Sequence, residues 1–248
     1  MLLQGKNTIV YGAGAIGTAV ATGFAREGAT VHLVGRRLAR LDEVAERLRA
    51  AGGRVETAEV DALDEAAVDA HAEAVATGFG SVDISFNLIT HGDVQGTPLV
   101  EMSVADFERP VVTAVRTMFI TARAAARHMI RQRSGVILVF GGYGDPGSNL
   151  GGLQVAFQAM EALRRNLSRE LGPYGIRVLT LQTGGILETL PENFEGRQAI
   201  VDATLSKTML GRAATFEDVG NVAAFAASDR ARSMTATAFN ITCGSVVD

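Results

Sequence analysis

Cysteine is nearly absent from this chain: Cys243 is the only one in 248 residues. An intrachain disulfide is therefore excluded, and a reducing compartment is the expected setting. Positive charge is not in excess either, with 23 Lys and Arg against 27 Asp and Glu and a net charge of −4. That balance offers no electrostatic grip on nucleic acid or an anionic membrane. A membrane span is also missing, because the most apolar helical stretch, 111–130, carries Arg116, Arg123 and Arg127. The opening Met1-Leu2-Leu3-Gln4-Gly5-Lys6 has no signal-peptide layout, so a cytoplasmic protein is expected. The four histidines, 32, 71, 91 and 128, have no metal-ligand spacing, so no metal is expected, and no paired carboxylates suggest hydrolysis. Repeats, linkers and breaks in composition are lacking too. With 47% hydrophobic residues, the chain can bury a substantial core as one large domain spanning 1–248.

What is present is organised around Thr8-Ile9-Val10-Tyr11-Gly12-Ala13-Gly14-Ala15-Ile16-Gly17. An apolar, β-branched run stops at Gly12, and a helix-like run begins near Ala15. The turn between them fits G-x-G-x-x-G. Its first glycine allows the tight turn, the second lets backbone approach a pyrophosphate, and the third lets the helix pack on the strand. The N–H groups at the helix start, around Ile16, then face the phosphates. Twenty residues on, where a carboxylate would hold a ribose hydroxyl, stand Arg36 and Arg37, and no acid follows until Asp42. Guanidiniums there suit a 2′-phosphate, so NADP(H) is the expected cofactor.

Beyond the turn, the pattern alternates. Helix is expected over 18–26, 41–48, 64–77, a long stretch from a capping signal at Ser103 and Asp106 to about Arg131, 154–171, and 216–227 capped by Thr215. Strands are expected over 30–34, 54–60, 82–88, 136–140, 177–182 and 238–242. The loop 141–152 is rich in Gly, Pro, Asn and Ser, and 187–205 reads as a mobile flap or small helical insertion. Strand and helix alternate throughout, which predicts a single-domain α/β Rossmann fold, a doubly wound parallel sheet of about seven strands.

The later segments resemble those of the short-chain dehydrogenase/reductase family. Glu170-Leu171-Gly172-Pro173-Tyr174-Gly175-Ile176-Arg177-Val178 is similar to its E-L-x-P-x-G-I-R-V. Gly211-Arg212-Ala213-Ala214-Thr215-Phe216-Glu217-Asp218-Val219 is similar to G-R-x-G-x-P-E-D-V, and Phe225-Ala226-Ala227-Ser228-Asp229 to F-L-x-S-D. The resemblance implies roles: Asp61 and Ala62 at the adenine edge, Asn87 beside the adenosine ribose, and Thr183, Gly184 and Ile186 in the turn that positions the nicotinamide carboxamide. It also implies a homo-oligomer, a dimer or tetramer built through the long helices, acting on a small-molecule substrate.

The departures from that family are concentrated in its catalytic set. Counting back from Glu170, the family's Tyr falls on Leu153 and its Lys on Phe157; its Ser falls on Gly141 or Gly142, and its Asn on Ala114. Hydride reduction of a carbonyl makes an alkoxide that needs a proton, and a tyrosine delivers one near neutrality only when a cation lowers its pKa. Leu153 and Phe157 can do neither. General acid catalysis is worth about 10²–10⁴-fold, so ordinary ketones are expected to react slowly. Three readings follow. The substrate can be one that needs little acid, such as an iminium ion, enone or quinone, bound on a hydrophobic shelf of Leu153, Phe157 and Met160, with His91 and Gly142 in the pocket. Another residue can replace the lost acid, with Tyr143 the first candidate and His91, Asp93, Gln154 and Gln158 weaker ones. Or the protein is a catalytically silent nucleotide-binding or structural subunit that pairs with an active relative.

Overall fold

Short runs of β-branched and aliphatic residues form the strands, and those at the centre of the sheet are buried almost throughout because helices cover both faces, while the two edge strands are partly exposed. The computed structural model describes residues 1–142 and 147–247. Its strands are β1 (Asn7–Tyr11), β2 (Thr30–Gly35), β3 (Arg54–Glu59), β4 (Ile84–Asn87), β5 (Gly135–Gly142), β6 (Ile176–Thr183) and β7 (Ala238–Ile241). They form one seven-stranded sheet in the order β3-β2-β1-β4-β5-β6-β7. Every neighbouring pair is parallel.

Alternate side chains of each strand serve opposite layers. Val10, Val31 and Leu33 pack with α1 (Ala15–Arg26), α2 (Leu38–Ala50) and α7 (Phe216–Ala227). Ile9 and Tyr11 pack with α3 (Glu65–Phe79) and α4 (Val104–Gln132), and a third cluster joins α4 to α5 (Leu153–Leu171). On the α3 side His32 is 3% exposed, and its ring meets Phe79 edge-on at 4.4 Å and His71 at 6.5 Å. The segment 187–205 contains a 3-10 turn, Leu187–Thr189, and α6 (Arg197–Leu205), which buries no residue.

The differences from expectation have local causes. β5 extends to Gly142 because Gly141 and Gly142 pair with Gln182 and Thr183 of β6. Only half a capping box forms at Ser103: its hydroxyl accepts from Asp106 N–H at 3.1 Å, but the Asp106 carboxylate takes Arg109 at 2.8 Å and the Ser103 hydroxyl instead of the backbone amide. Thr215 and Asp218 form the full reciprocal box at α7.

The motifs that carried the family resemblance hold this scaffold together. Arg177 donates to the carbonyls of Ala226 and Ser228, tying β6 to the end of α7. Arg212 bonds Asp218 at 2.5 Å, and that charged hydrogen bond holds the Asp218 carboxyl at about 2.

Candidate active site

β1 and β4 lie side by side, and the chain leaves them in opposite directions, which opens a crevice at their carboxyl ends. The glycine turn shapes one wall. A Cβ on Gly12, whose φ is +106°, would lie 2.6 Å from the Leu88 carbonyl oxygen, and one on Gly17 would lie 2.0 Å from that of Gly12. A side chain at either position would force the turn apart. Gly14 is different: nothing lies within 4 Å of its Cβ position, and it lines the crevice. It is also the N-cap of α1, with no side chain satisfying the first amides. Unpartnered N–H groups at a helix start, with open space before them, fit a pyrophosphate.

The crevice holds about 490 Å³ and runs from Gly12 and Gly14 past Arg36, Arg37 and Arg40 to Asp61, Ala62, Leu88 and His91. Arg36 and Arg37 leave the end of β2 exposed to solvent, and Arg37 caps α2 without a side-chain bond. Arg40 has a partner, Glu43, at 2.9 Å. Asp42, the first carboxylate after β2, accepts the Thr57 hydroxyl at 2.7 Å and does not line the crevice. The donor set at the end of β2 is thus cationic, which fits a phosphorylated ribose. Asp61 Oδ1 accepts from Leu63 N–H at 3.0 Å, holding the turn that forms the far wall.

Other sequence-predicted residues lie off this wall. The Asn87 amide donates to Thr117 at 2.8 Å and its carbonyl accepts from Ile89 N–H at 3.1 Å, so the side chain is spent joining β4 to α4 and its own turn. Ile16 is half-buried against the core, and Ile186 lies within it at 6% exposure. Thr183 ends β6 and Gly184 follows it, packed on Ser245 and Thr242.

At the inner end the surroundings turn apolar. Leu153 opens α5, and one turn later the Phe157 ring lies on Gly142, where a Cβ would come within 2.5 Å of it. The His91 ring meets Phe157 edge-on, with centroids 6.0 Å apart. Gly142, Phe157 and His91 are therefore brought together, with Met160 and Ala114 in the cluster beneath. Burial pushes the His91 pKa below its ordinary value, partly offset by Asp93. Tyr143 lies outside the described residues. No group of three or more His, Cys, Asp or Glu that could hold a metal occurs among the described residues.

Sequence reasoning missed Arg40, Arg109 and Thr113 on the crevice wall. Arg40 was within reach as the third arginine of Arg36-Arg37-Leu38-Ala39-Arg40. Arg109 and Thr113 share a face of α4 by their spacing of four, but nothing in the sequence says that this face meets the loop after β4.

The family model described as enoyl-(acyl carrier protein) reductase matches residues 12–245. A 3alpha-hydroxysteroid dehydrogenase of Mediterraneibacter gnavus is 32% identical over 95% of this chain and 94% of its own. A 3-oxoacyl-(acyl-carrier-protein) reductase of Thermotoga maritima is 28% identical over the whole of both chains. The solved short-chain dehydrogenase/reductase of Serratia marcescens superposes with a TM-score of 0.86 at 27% identity, covering 100% of both chains. Matched in sequence over nearly its full length, and in fold over all of it, the chain belongs to the short-chain dehydrogenase/reductase family.

Proposed function

We propose that the protein is an NADP(H)-dependent oxidoreductase that acts on an activated C=N, C=C or C=O bond of a small organic substrate. The observation that carries this reading is the crevice at the β1–β4 switch point, with open backbone at Gly14 and Arg36, Arg37 and Arg40 where a carboxylate would select NAD. The named relatives, a reductase and a dehydrogenase, support the reaction class. The reduced dinucleotide, when bound, supplies hydride. The chain's own residues do the rest. Arg36 and Arg37 hold the 2′-phosphate, the amides at the start of α1 hold the pyrophosphate, and Asp61 and Ala62 flank the adenine. Leu153, Phe157 and Met160 wall the inner end with hydrocarbon and exclude water, but they carry no proton. A substrate that needs little acid, such as an iminium ion or a conjugated enone, suits that wall.

Fluorescence titration tests the binding claim. NADPH should bind at least tenfold tighter than NADH; no binding of either overturns the reading. Turnover is then sought with NADPH and panels of ketones, enones, quinones and cyclic imines. The hydrocarbon at 153 and 157 also favours a second reading, a silent subunit pairing with an active relative. NADPH binding with no turnover in any panel would support that instead.

The protein is further proposed to act in the cytoplasm as a homodimer or homotetramer. Val112 and Phe119 of α4 and Val155 of α5 are exposed apolar side chains on the long helices, and light scattering of the purified chain tests the assembly. No helix among the described residues is long and apolar enough to cross a membrane.

A further inference from the structure

Resting on the oxidoreductase reading above, we propose that His91 is the proton donor of this site, taking over the task that Leu153 and Phe157 cannot perform. The loop after β4 is held where it begins, by Leu88 N–H donating to the Tyr11 carbonyl at 2.8 Å. It turns at Gly92, whose φ is +75° and whose Cβ position lies 3.2 Å from Arg109 Cδ. Between these two points the His91 side chain lines the crevice and packs edge-on against Phe157. One imidazole therefore stands where the polar crevice meets the apolar wall, over the position that holds the family's lysine.

The other histidines are spent elsewhere. His32 and His71 face each other on the α3 side of the sheet, and the buried His128 of α4 meets Arg131 at 2.8 Å. Among the described residues, His91 is the one histidine on the crevice wall. The charged groups facing it are few. Asp93, in its own loop, takes the Gln95 amide at 2.7 Å; Arg109, from α4, pairs with Asp106; from α5 comes the uncharged Phe157 ring. Burial makes the imidazolium a stronger acid than an exposed one, and Asp93 limits that change.

The step balances with groups already named. For a carbonyl, the carbon gains hydride from the reduced dinucleotide and the C=O π pair moves to oxygen. A new O–H bond forms as an imidazolium N–H bond breaks, which leaves neutral imidazole, and solvent at the crevice mouth returns the proton. The geometry extends the substrate class from cations and enones to apolar ketones lying against Leu153 and Phe157.

The test uses the whole chain, whose four histidines give a tractable imidazole NMR spectrum, with His91→Gln to assign the fourth signal. On adding NADP⁺ the His91 resonance should move while those of His32, His71 and His128 stay. Ketone reduction should fall about tenfold per pH unit once pH exceeds the His91 pKa, which lies below the ordinary value of about 6.5. His91→Gln should keep NADPH binding within about threefold, leave the other three resonances in place, and lose about 10²–10⁴-fold in turnover, with a flat profile through the histidine range. Retained turnover with the same pH profile in His91→Gln overturns the proposal and leaves the oxidoreductase reading standing. So does an unmoved His91 resonance when NADPH binding is measured. A wild type that binds NADPH but reduces nothing overturns the donor role and points to the silent subunit. Failure to bind any dinucleotide removes both readings together.

Discussion

The two ends of the crevice are built from different materials. At the outer end, Gly12, Gly14, Arg36, Arg37, Arg40 and Asp61 present backbone amides and charged side chains; at the inner end the Phe157 ring packs against His91, and Leu153 opens the same helix. Backbone amides beside arginine side chains serve the outer end, whereas only side chains can serve the inner one, and this makes the two separable. An amide at the start of α1 is present whatever residue carries it, so a dinucleotide cradle survives sequence drift as long as the glycines remain. A general acid is a single side chain, and one substitution removes it. The Phe157 ring on Gly142 further shows that the inner end is packed and not merely emptied.

The largest expected effect comes from rebuilding that end. In a His91→Gln background, adding Leu153→Tyr and Phe157→Lys should raise the reduction of simple ketones with NADPH by about 10²–10⁴-fold, the usual worth of a positioned acid. Steady-state rates on an unactivated ketone measure it, and an unchanged rate would mean that the inner end differs in shape as well as in chemistry. Next in size is the outer end. Gly17→Ala places a Cβ 2.0 Å from the Gly12 carbonyl oxygen. The turn must shift, and NADPH binding should weaken by roughly a hundredfold or more, since the pyrophosphate contacts depend on backbone placement. Wild-type affinity in a folded Gly17→Ala variant would break the claim that backbone amides of this turn hold the pyrophosphate.

Histidines in two places sharpen the contrast further. His32 is buried and neutral, with burial and the nearby His71 lowering its pKa to about 4. In the unfolded chain it titrates near 6.5. Between those values the unfolded state binds the extra proton, so this group's stabilisation is complete above about pH 6.5 and is lost as pH falls towards 4. Each pH unit across that window is worth ~1.4 kcal/mol, or on the order of 3 kcal/mol in all. Urea midpoints at pH 7 and pH 4.5 should show a smaller loss in His32→Phe than in the wild type, with the lowered pKa values of His71, His91 and His128 accounting for what remains. His32 lies off the crevice, so its pKa acts on stability alone, and His32→Phe should leave the pH profile of the rate in place.

How much of this could be read from the chain depends on what each feature requires. Strand and helix order came from periodicity, and the glycine turn from spacing; both are local, and both match the sheet that forms. The half-formed box at Ser103 shows the limit of a pattern: Asp106 has the right spacing but goes to Arg109, a choice made by side-chain reach. Nothing in the spacing around Asn87 says that its amide donates to Thr117, thirty residues away. The meeting of His91 with Phe157 was also out of reach, because it depends on α5 closing over the loop after β4. The motifs that named the family most clearly, around Arg177 and Arg212, do structural work and say nothing about chemistry.

The smallest effects concern the arginines at the end of β2, and there the comparison is most finely balanced. Arg36 and Arg37 are exposed, and an exposed ion pair is worth only about 0–1 kcal/mol. A guanidinium on a dianionic phosphate can make two charged hydrogen bonds, which raises the contribution to about 1.5–3 kcal/mol. Arg36→Ala should therefore weaken NADPH by about tenfold and leave NADH unchanged, with the difference shrinking as salt rises. Arg40 stands in another position, because Glu43 already holds it at 2.9 Å. For Arg40 to reach a phosphate it must leave that carboxylate, so Arg40→Ala should cost less than Arg36→Ala. Glu43→Gln should then do the reverse of an arginine deletion, freeing Arg40 and tightening NADPH by about two- to threefold, a gain below 1 kcal/mol. Fluorescence titrations of both dinucleotides at low and high salt separate these outcomes. Equal losses of NADPH and NADH in Arg36→Ala would show that the arginines steer the whole ligand and do not read its 2′-phosphate.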